Sequence, residues 1–308
     1  MKRVAILGGF GFLGKNLNIA LSDQALEVLN YSRTTGCDMR DLPVLVDHLQ
    51  HIMPNIIVNA AANVGSITYV GDHAAEVVHD NTLMYLNLYR AVAQVDPKIK
   101  IINIISNCSY PGDIDIQQED SWWSGAIHQS VESYGMPKKM GWMISRCYAR
   151  QHGVRTVNLI VPNAYGPYDY ADEQRTHAMN GIIMRMITAK KANHESFTVW
   201  GTGTPVREWI YMMDVARAIR EIIQHDMMDL PDPINIAQRH GISINQSVDI
   251  IRRLLKYPVE VQHDTTKPDG APVKILDDRL FRQHFPDFEF TDHEWGIRQT
   301  INYYETLL

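Results

Sequence analysis

Short apolar runs alternate with longer amphipathic stretches through the first half of the chain. Residues 4–7, 26–30, 55–62, 99–105 and 155–161 are brief, largely aliphatic and rich in β-branched side chains. Such runs belong to strands buried on both faces of a parallel sheet. Between them, residues 15–22, 42–52, 74–94 and 134–151 carry apolar side chains at helical spacing, and His152-Gly153 reads as a helix stop. Residues 74–94 are apolar nearly all round (Val77, Val78, Leu83, Met84, Leu86, Leu88, Ala91), which leaves one face for a partner. This alternation predicts an α/β fold, a Rossmann-like doubly wound parallel sheet.

The pattern changes after the turn Pro162-Asn163-Ala164-Tyr165-Gly166-Pro167. Residues 169–175 are polar and loop-like, 177–191 read as a helix and 196–200 as a short strand. A smaller C-terminal substrate-binding lobe is expected over 168–210 and 241–308. A dinucleotide-binding domain takes 1–167, and a return segment of about 211–240 rejoins it.

Gly8, Gly11 and Gly14 form G-x-x-G-x-x-G directly after the first strand and before the first helix. Glycines there let the backbone approach a pyrophosphate, and the helix N-terminus offers free N–H groups to the anion. The second strand ends at Asn30, followed by Ser32-Arg33, with no acid to grip a ribose. That leans toward NADP(H) over NAD(H). Asp38 is placed to accept from an adenine amino group, and Ala60, Ala61 and Ala62 are small enough for a ligand to lie close.

Tyr134 and Lys138 are four apart on one helix, hence on one face. A tyrosine titrates near pH ~10, and a cation beside it is expected to lower that value, which suits acid–base chemistry on an alcohol or ketone. Ser106 ends a central strand within a polar cluster, Ser106-Asn107-Cys108-Ser109-Tyr110, where such sheets place ligand chemistry. It is positioned to bond the oxygen that Tyr134 would protonate.

The 308 residues are 45% hydrophobic and 21% charged, enough for one large domain or two lobes. A net charge of -6 argues against nucleic-acid binding. No apolar run approaches the roughly 20 residues that cross a membrane. The stretch before the glycines is too short for a signal peptide. Cys37, Cys108 and Cys147 form no paired framework. A soluble, cytoplasmic protein is expected. His48 and His51 beside Asp47 lack converging ligands and read as solvent-facing, so no metal is expected.

Six ordered blocks resemble the extended short-chain dehydrogenase/reductase family, and within it the GDP-L-fucose synthase branch of 3,5-epimerase/4-reductases. They are Ala60-Ala61-Ala62-x-Val64-Gly65, Ser106-x-Cys108-x-Tyr110-Pro111, Tyr134-x-x-x-Lys138, Asn163-x-Tyr165-Gly166-Pro167 with His177, Trp200-Gly201-x-Gly203-Thr204-Pro205-x-Arg207-Glu208, and Lys267-Pro268-Asp269-Gly270-x-Pro272. The resemblance implies that Tyr134 protonates the C4 oxygen of a GDP-4-keto-6-deoxy-hexose as NADPH delivers hydride to C4. Lys138 would tune Tyr134 and hold the nicotinamide ribose, and Ser106 would orient the oxygen. Cys108 and His177 would invert C3 and C5 before reduction. The implied cofactor set is Gly8, Phe10, Gly11, Phe12, Leu13, Arg33, Asp38, Met39, Ala60 and Ala61 with Tyr134, Lys138 and His177. Asn163, Arg185, Trp200, Arg207 and Lys274 would meet the sugar nucleotide, and Trp122 and Trp123 are expected near the sugar pocket. A homodimer through helices 74–94 and 134–151 is implied as well. Phe10 and Asn63 stand where the branch carries an arginine and a lysine, Asn107 departs from the serine pair, and the arginine after the second strand is displaced to Arg33. Phe10 and the displaced Arg33 favour the alternative, a nucleotide-sugar 4-reductase, 4-dehydrogenase or 4-epimerase with bound NAD and no C3/C5 inversion.

Overall fold

The computed structural model describes residues 1–267 and 269–308; Pro268 of the last motif lies outside them. Its central sheet has six parallel strands in the order Leu26–Tyr31, Lys2–Leu7, Ile56–Asn59, Lys100–Ser106, Thr156–Val161 and Ile234–Asn235. The chain leaves the first strand toward one edge and later returns to its other side. A crevice therefore opens at the carboxyl ends of the first and third strands.

Helices cover both faces, which is why the strand runs lack a polar side. Val4 and Ile6 face helices Phe12–Leu21 and Met212–Gln224, with Phe281 and Phe285 closing that core. Ala5 and Leu7, of opposite parity, face helices Leu42–Ile52, Ala74–Val95 and Glu132–His152. Three buried asparagines interrupt the apolar runs in register. Asn59 donates to Asn103 at 3.1 Å, Asn103 to Asn158 at 3.1 Å, and Asn158 to Asp232 at 2.7 Å. Each amide satisfies the next, so the row crosses the core with few orphaned groups.

A second core gathers Tyr165, Met179, Ile183, Met186, Phe197, Trp209, Ile251 and Ile297. Around it lie the strands Gly241–Ser243, Val206–Tyr211, Val273–Leu276 and Ile116–Gln117. Asn163–Tyr165, expected as a turn, is a strand pairing in parallel with Val206–Tyr211. Its extended backbone is held by a partner too distant in sequence for local pattern to reveal. The expected third strand stops at Asn59, freeing Ala60 to Ala62 for the crevice. The helix expected from 177 starts at Ala178, with His177 as its N-cap. His48, expected toward solvent, packs its ring against Tyr31 at 5.4 Å between centroids.

Two glycines seat helix Glu132–His152. At Gly141 a Cβ would stand 2.7 Å from the Tyr85 ring, and at Gly135 it would stand 2.5 Å from the carbonyl oxygen of Cys108. Ser109 Oγ donates to the Gly135 carbonyl at 2.9 Å and locks the second approach. A methyl at Gly135 would push first against the Cys108 backbone, which cannot swing aside as a side chain can. Gly135→Ala is expected to lower the melting temperature by about 4–10 °C and turnover by more than about tenfold. Thermal unfolding and a rate assay check this; unchanged values in both would show that the helix does not depend on this contact.

Candidate active site

The crevice begins at the glycine loop. Gly8 has φ +87°, and a Cβ there would lie 2.8 Å from the Ala60 carbonyl carbon. Gly14 approaches so closely that its Cβ would lie 2.4 Å from the Gly8 oxygen. Gly8 and Gly9 N–H both donate to Tyr31 O, at 2.8 and 3.2 Å. Gly11 caps helix Phe12–Leu21 with no side-chain bond to the first turn, leaving its N–H groups for an anion. This cradle fits a dinucleotide pyrophosphate. Phe10 is exposed on the loop, whereas Phe12 and Leu13 are buried.

Asn30 is used internally. It exchanges two amide bonds with Asn18, at 2.7 and 2.9 Å, and Asn18 also donates to Gly9 O and Gly14 O. The pair thus holds the loop instead of reaching a ribose. Arg33 follows, exposed, at the start of a short 3-10 turn. Asp38, expected to meet an adenine, is instead gripped by Arg40, whose Nε and Nη2 donate to it at 3.0 and 2.7 Å. These hydrogen bonds hold its carboxyl below the usual range and take up much of its acceptor capacity. Met39 is buried, with its carbonyl accepting from Asn87 at 3.0 Å.

At the fourth strand's end, Ser106 Oγ accepts from Cys108 N–H at 3.2 Å, which leaves the serine hydroxyl proton free to donate. The turn Asn107–Ser109 presents Cys108 half-buried against the Tyr134 helix. Lys138 is buried, donates to Ile104 O at 3.1 Å, and lies 5.5 Å from the Tyr134 ring centroid. Burial pulls its ammonium down to about 8. The expectation that Lys138 lowers the Tyr134 pKa is overturned. Tyr134 keeps an open edge, but close surrounding atoms and then the nearby Cys108 push its phenol above the ordinary range. The lysine ammonium donates to a backbone carbonyl and is not among the groups that move the Tyr134 phenol.

Beyond Cys108 lies Arg207. Burial pulls its guanidinium below the ordinary value, while the nearby Cys108 and Asp269 act in the opposite sense. Lys274 is its register partner on the adjacent strand. Asn163 Nδ2 donates to Glu208 O at 3.4 Å. Glu208 is wholly buried, and its carboxylate accepts from Gln238 N and Leu276 N, both at 2.8 Å. It ties together the strands carrying Arg207 and Lys274, and burial pushes it up to about 7. Asp269 bonds Thr202 N at 2.7 Å, joining two of the sequence blocks into one clasp beside Arg207. Arg185 lies over Trp200 at 4.8 Å, and Trp200 is 48% exposed. Trp122 corrects an expectation: it is core, set edge-on to Tyr110 at 4.9 Å. Trp123, 54% exposed, covers the buried Lys139 at 4.6 Å.

His177 sits against Phe12, with ring centroids 5.3 Å apart, and its Nδ1 lies 3.0 Å from Asp169 Oδ2. Their loop is fastened across the crevice by Ser66 N to Gln174 O at 2.9 Å and Arg175 to Val64 O at 3.1 Å. Asp169 and Gly135 are absent from the residues the sequence singled out. The one lay in a stretch read only as polar, and the other beside Tyr134 with no turn to explain it. Among the described residues no three His, Cys, Asp or Glu side chains are set to hold a metal, and no helix is long and apolar enough to cross a membrane.

Residues 4–237 match the NAD dependent epimerase/dehydratase family. The chain is 24% identical over 312 residues to a GDP-L-fucose synthase of Dictyostelium discoideum, covering 99% of this chain and 97% of that one. It is 27% identical to a GDP-L-colitose synthase of Yersinia pseudotuberculosis, covering 98% and 97%. Its fold is similar to the crystal structure of a GDP-L-fucose synthetase from Naegleria fowleri bound to NADP, with TM-score 0.86, 23% identity and coverage of 99% and 94%. With a match across three quarters of its length and a glycine cradle at the switch point of its sheet, the chain belongs to the NAD dependent epimerase/dehydratase family.

Proposed function

We propose that the protein is a nucleotide-sugar 3,5-epimerase/4-reductase acting on a GDP-4-keto-6-deoxy-hexose, with NADPH preferred to NADH. The observation that carries this reading is the seating of Tyr134 against the Ser106–Cys108 turn, with Arg207 beyond the thiol. The named relatives and the NADP-bound neighbour support the substrate class and cofactor. Exposed Arg33 after the second strand is the group suited to a 2′-phosphate.

A C4 ketone acidifies the hydrogens on C3 and C5 by offering an enolate. Cys108 and His177 exchange those protons, one removing and the other returning on the opposite face, so each carbon inverts without net redox change. Arg207 sets a positive charge near the thiol and steadies negative charge developing there. Bound NADPH supplies the hydride for C4. Ser106 donates a hydrogen bond to the C4 oxygen. Tyr134, its phenol held above the ordinary range, is protonated at neutral pH and gives its proton to that oxygen as charge collects on it. Lys138 holds the ribose beside it. Arg185, Lys274 and Asn163 hold the GDP-sugar, and the open face of Trp200 offers it a stacking surface.

A second reading, reduction or 4-epimerisation with bound NAD and no C3/C5 exchange, is favoured by Phe10 on the loop. With GDP-4-keto-6-deoxymannose and NADPH in deuterium oxide, the product is expected to carry deuterium at C3 and C5 by NMR. A reduced, unlabelled product would decide for the second reading.

Lys138 yields a prediction with a definite sign. Its folded value near 8 is below its unfolded value, so the buried ammonium costs stability at neutral pH, and the cost fades as pH rises from 8 toward 10.5. Lys138→Met is expected to melt about 3–6 °C higher than wild type at pH 7, with the gap closing at pH 10, while reduction falls at least about 100-fold. A lower melting point at pH 7 would contradict the sign.

Two lobes and a cytoplasmic homodimer are part of the proposal, with Phe281, Phe285, Phe288 and Phe290 packing on the first core and not the second. Val78, Leu86, Met136, Met140 and Met143 are exposed along helices Ala74–Val95 and Glu132–His152. Light scattering at micromolar concentration is expected to give twice the chain mass, and Leu86→Asp with Met140→Lys to give the monomer. A monomeric wild type would exclude the dimer.

A further inference from the structure

Asp169 is 5% exposed, in a loop with no other buried acid. All its recorded hydrogen bonds converge on one oxygen. Oδ2 accepts from Thr176 Oγ1 at 3.0 Å, His177 N at 2.8 Å, His177 Nδ1 at 3.0 Å and Asn180 Nδ2 at 3.0 Å, while buried Oδ1 has no partner among the described residues. Two of the four donors belong to His177 itself, one from its backbone and one from its ring. Phe12 packs tilted against the ring, centroid to centroid 5.3 Å.

We propose that Asp169 is a positioning residue for His177. It fixes the imidazole by the same oxygen that caps the helix start, keeps the ring proton on Nδ1, and so leaves Nε2 as the nitrogen that meets the sugar. This deepens the epimerase reading and rests on it. An imidazole without the contact could turn about its side-chain bonds or carry its proton on either nitrogen. Burial would pull His177 down, but attraction to Asp169 and the hydrogen bond outweigh it and hold the imidazolium above its ordinary range. The aspartate is correspondingly held below its own, against burial. The other titratable groups facing Asp169 are the Tyr303 and Tyr304 phenols from helix His293–Glu305, both neutral near pH 7 because burial raises them.

Because a single oxygen takes every bond, Asp169→Asn can keep all four acceptor contacts while it loses the charge and sets an NH2 where the unpartnered Oδ1 lies. A purely architectural role predicts little change in that variant. The proposal predicts that the His177 titration, followed by 15N shifts of the imidazole in the full-length protein, falls by at least about one pH unit. It also predicts that C3/C5 deuterium incorporation loses kcat by at least about tenfold with KM within about twofold, its pH profile shifting in step. Asp169→Glu is expected to restore part of the His177 titration. Thr176→Val, which removes one donor but no charge, is expected to leave it in place. An Asp169→Asn protein whose His177 keeps the wild-type titration and tautomer would overturn the proposal. So would a shifted titration reproduced by Thr176→Val. The NMR measurement needs no substrate, so a wild type that exchanges no C3/C5 hydrogens would sink the epimerase reading while leaving the Asp169–His177 result to stand or fall separately.

Discussion

The site depends on one close approach, that of helix Glu132–His152 to the turn after the fourth strand. Gly135 meets the Cys108 carbonyl with no room for a methyl, and Ser109 bonds its carbonyl. Four of the candidate site residues are hung from that contact. Tyr134 is the residue before the glycine and Lys138 lies one turn on. Ser106 and Cys108 flank the other side of the turn. A shift of an ångström here would separate the phenol from the serine and the thiol together, which is why a residue with no side chain matters as much as those that carry the chemistry.

Burial then sets the protonation of each group. It raises Tyr134, whose phenol stays protonated at neutral pH, and it pulls Lys138 to about 8, still largely charged there. It raises Glu208 to about 7 behind Arg207. At His177 a partner outweighs it, because the fully buried Asp169 carboxylate is within hydrogen-bond distance. The same low-dielectric surroundings thus push a phenol up and a lysine down and leave an imidazole held up by its partner, according to what each side chain faces.

Much of the parallel sheet was legible in sequence. Strands with helices on both faces have no polar side, so 4–7 and 99–105 read as continuous apolar runs. Their boundaries shifted where a partner strand decided the end, as at Asn59 and at Asn163–Tyr165. The asparagine row was not legible, because each amide is tolerated only when its neighbour in register is also an amide. Trp122, expected near the sugar pocket, proved to be core, because nothing local to it shows the Tyr110 ring that it meets edge-on.

Sequence alone determined the glycine cradle, the Tyr134–Lys138 spacing and Ser106 at a strand end, because each is a local pattern whose geometry follows from helix and strand periodicity. It could not show that Asn30 is spent on Asn18, that Asp38 is spent on Arg40, or that Asp169 holds His177. Those are choices among hydrogen-bond partners, and a polar side chain satisfies whichever one the fold brings within about 3 Å. Which partner that is depends on how loops between distant elements pack, and this only the tertiary structure decides.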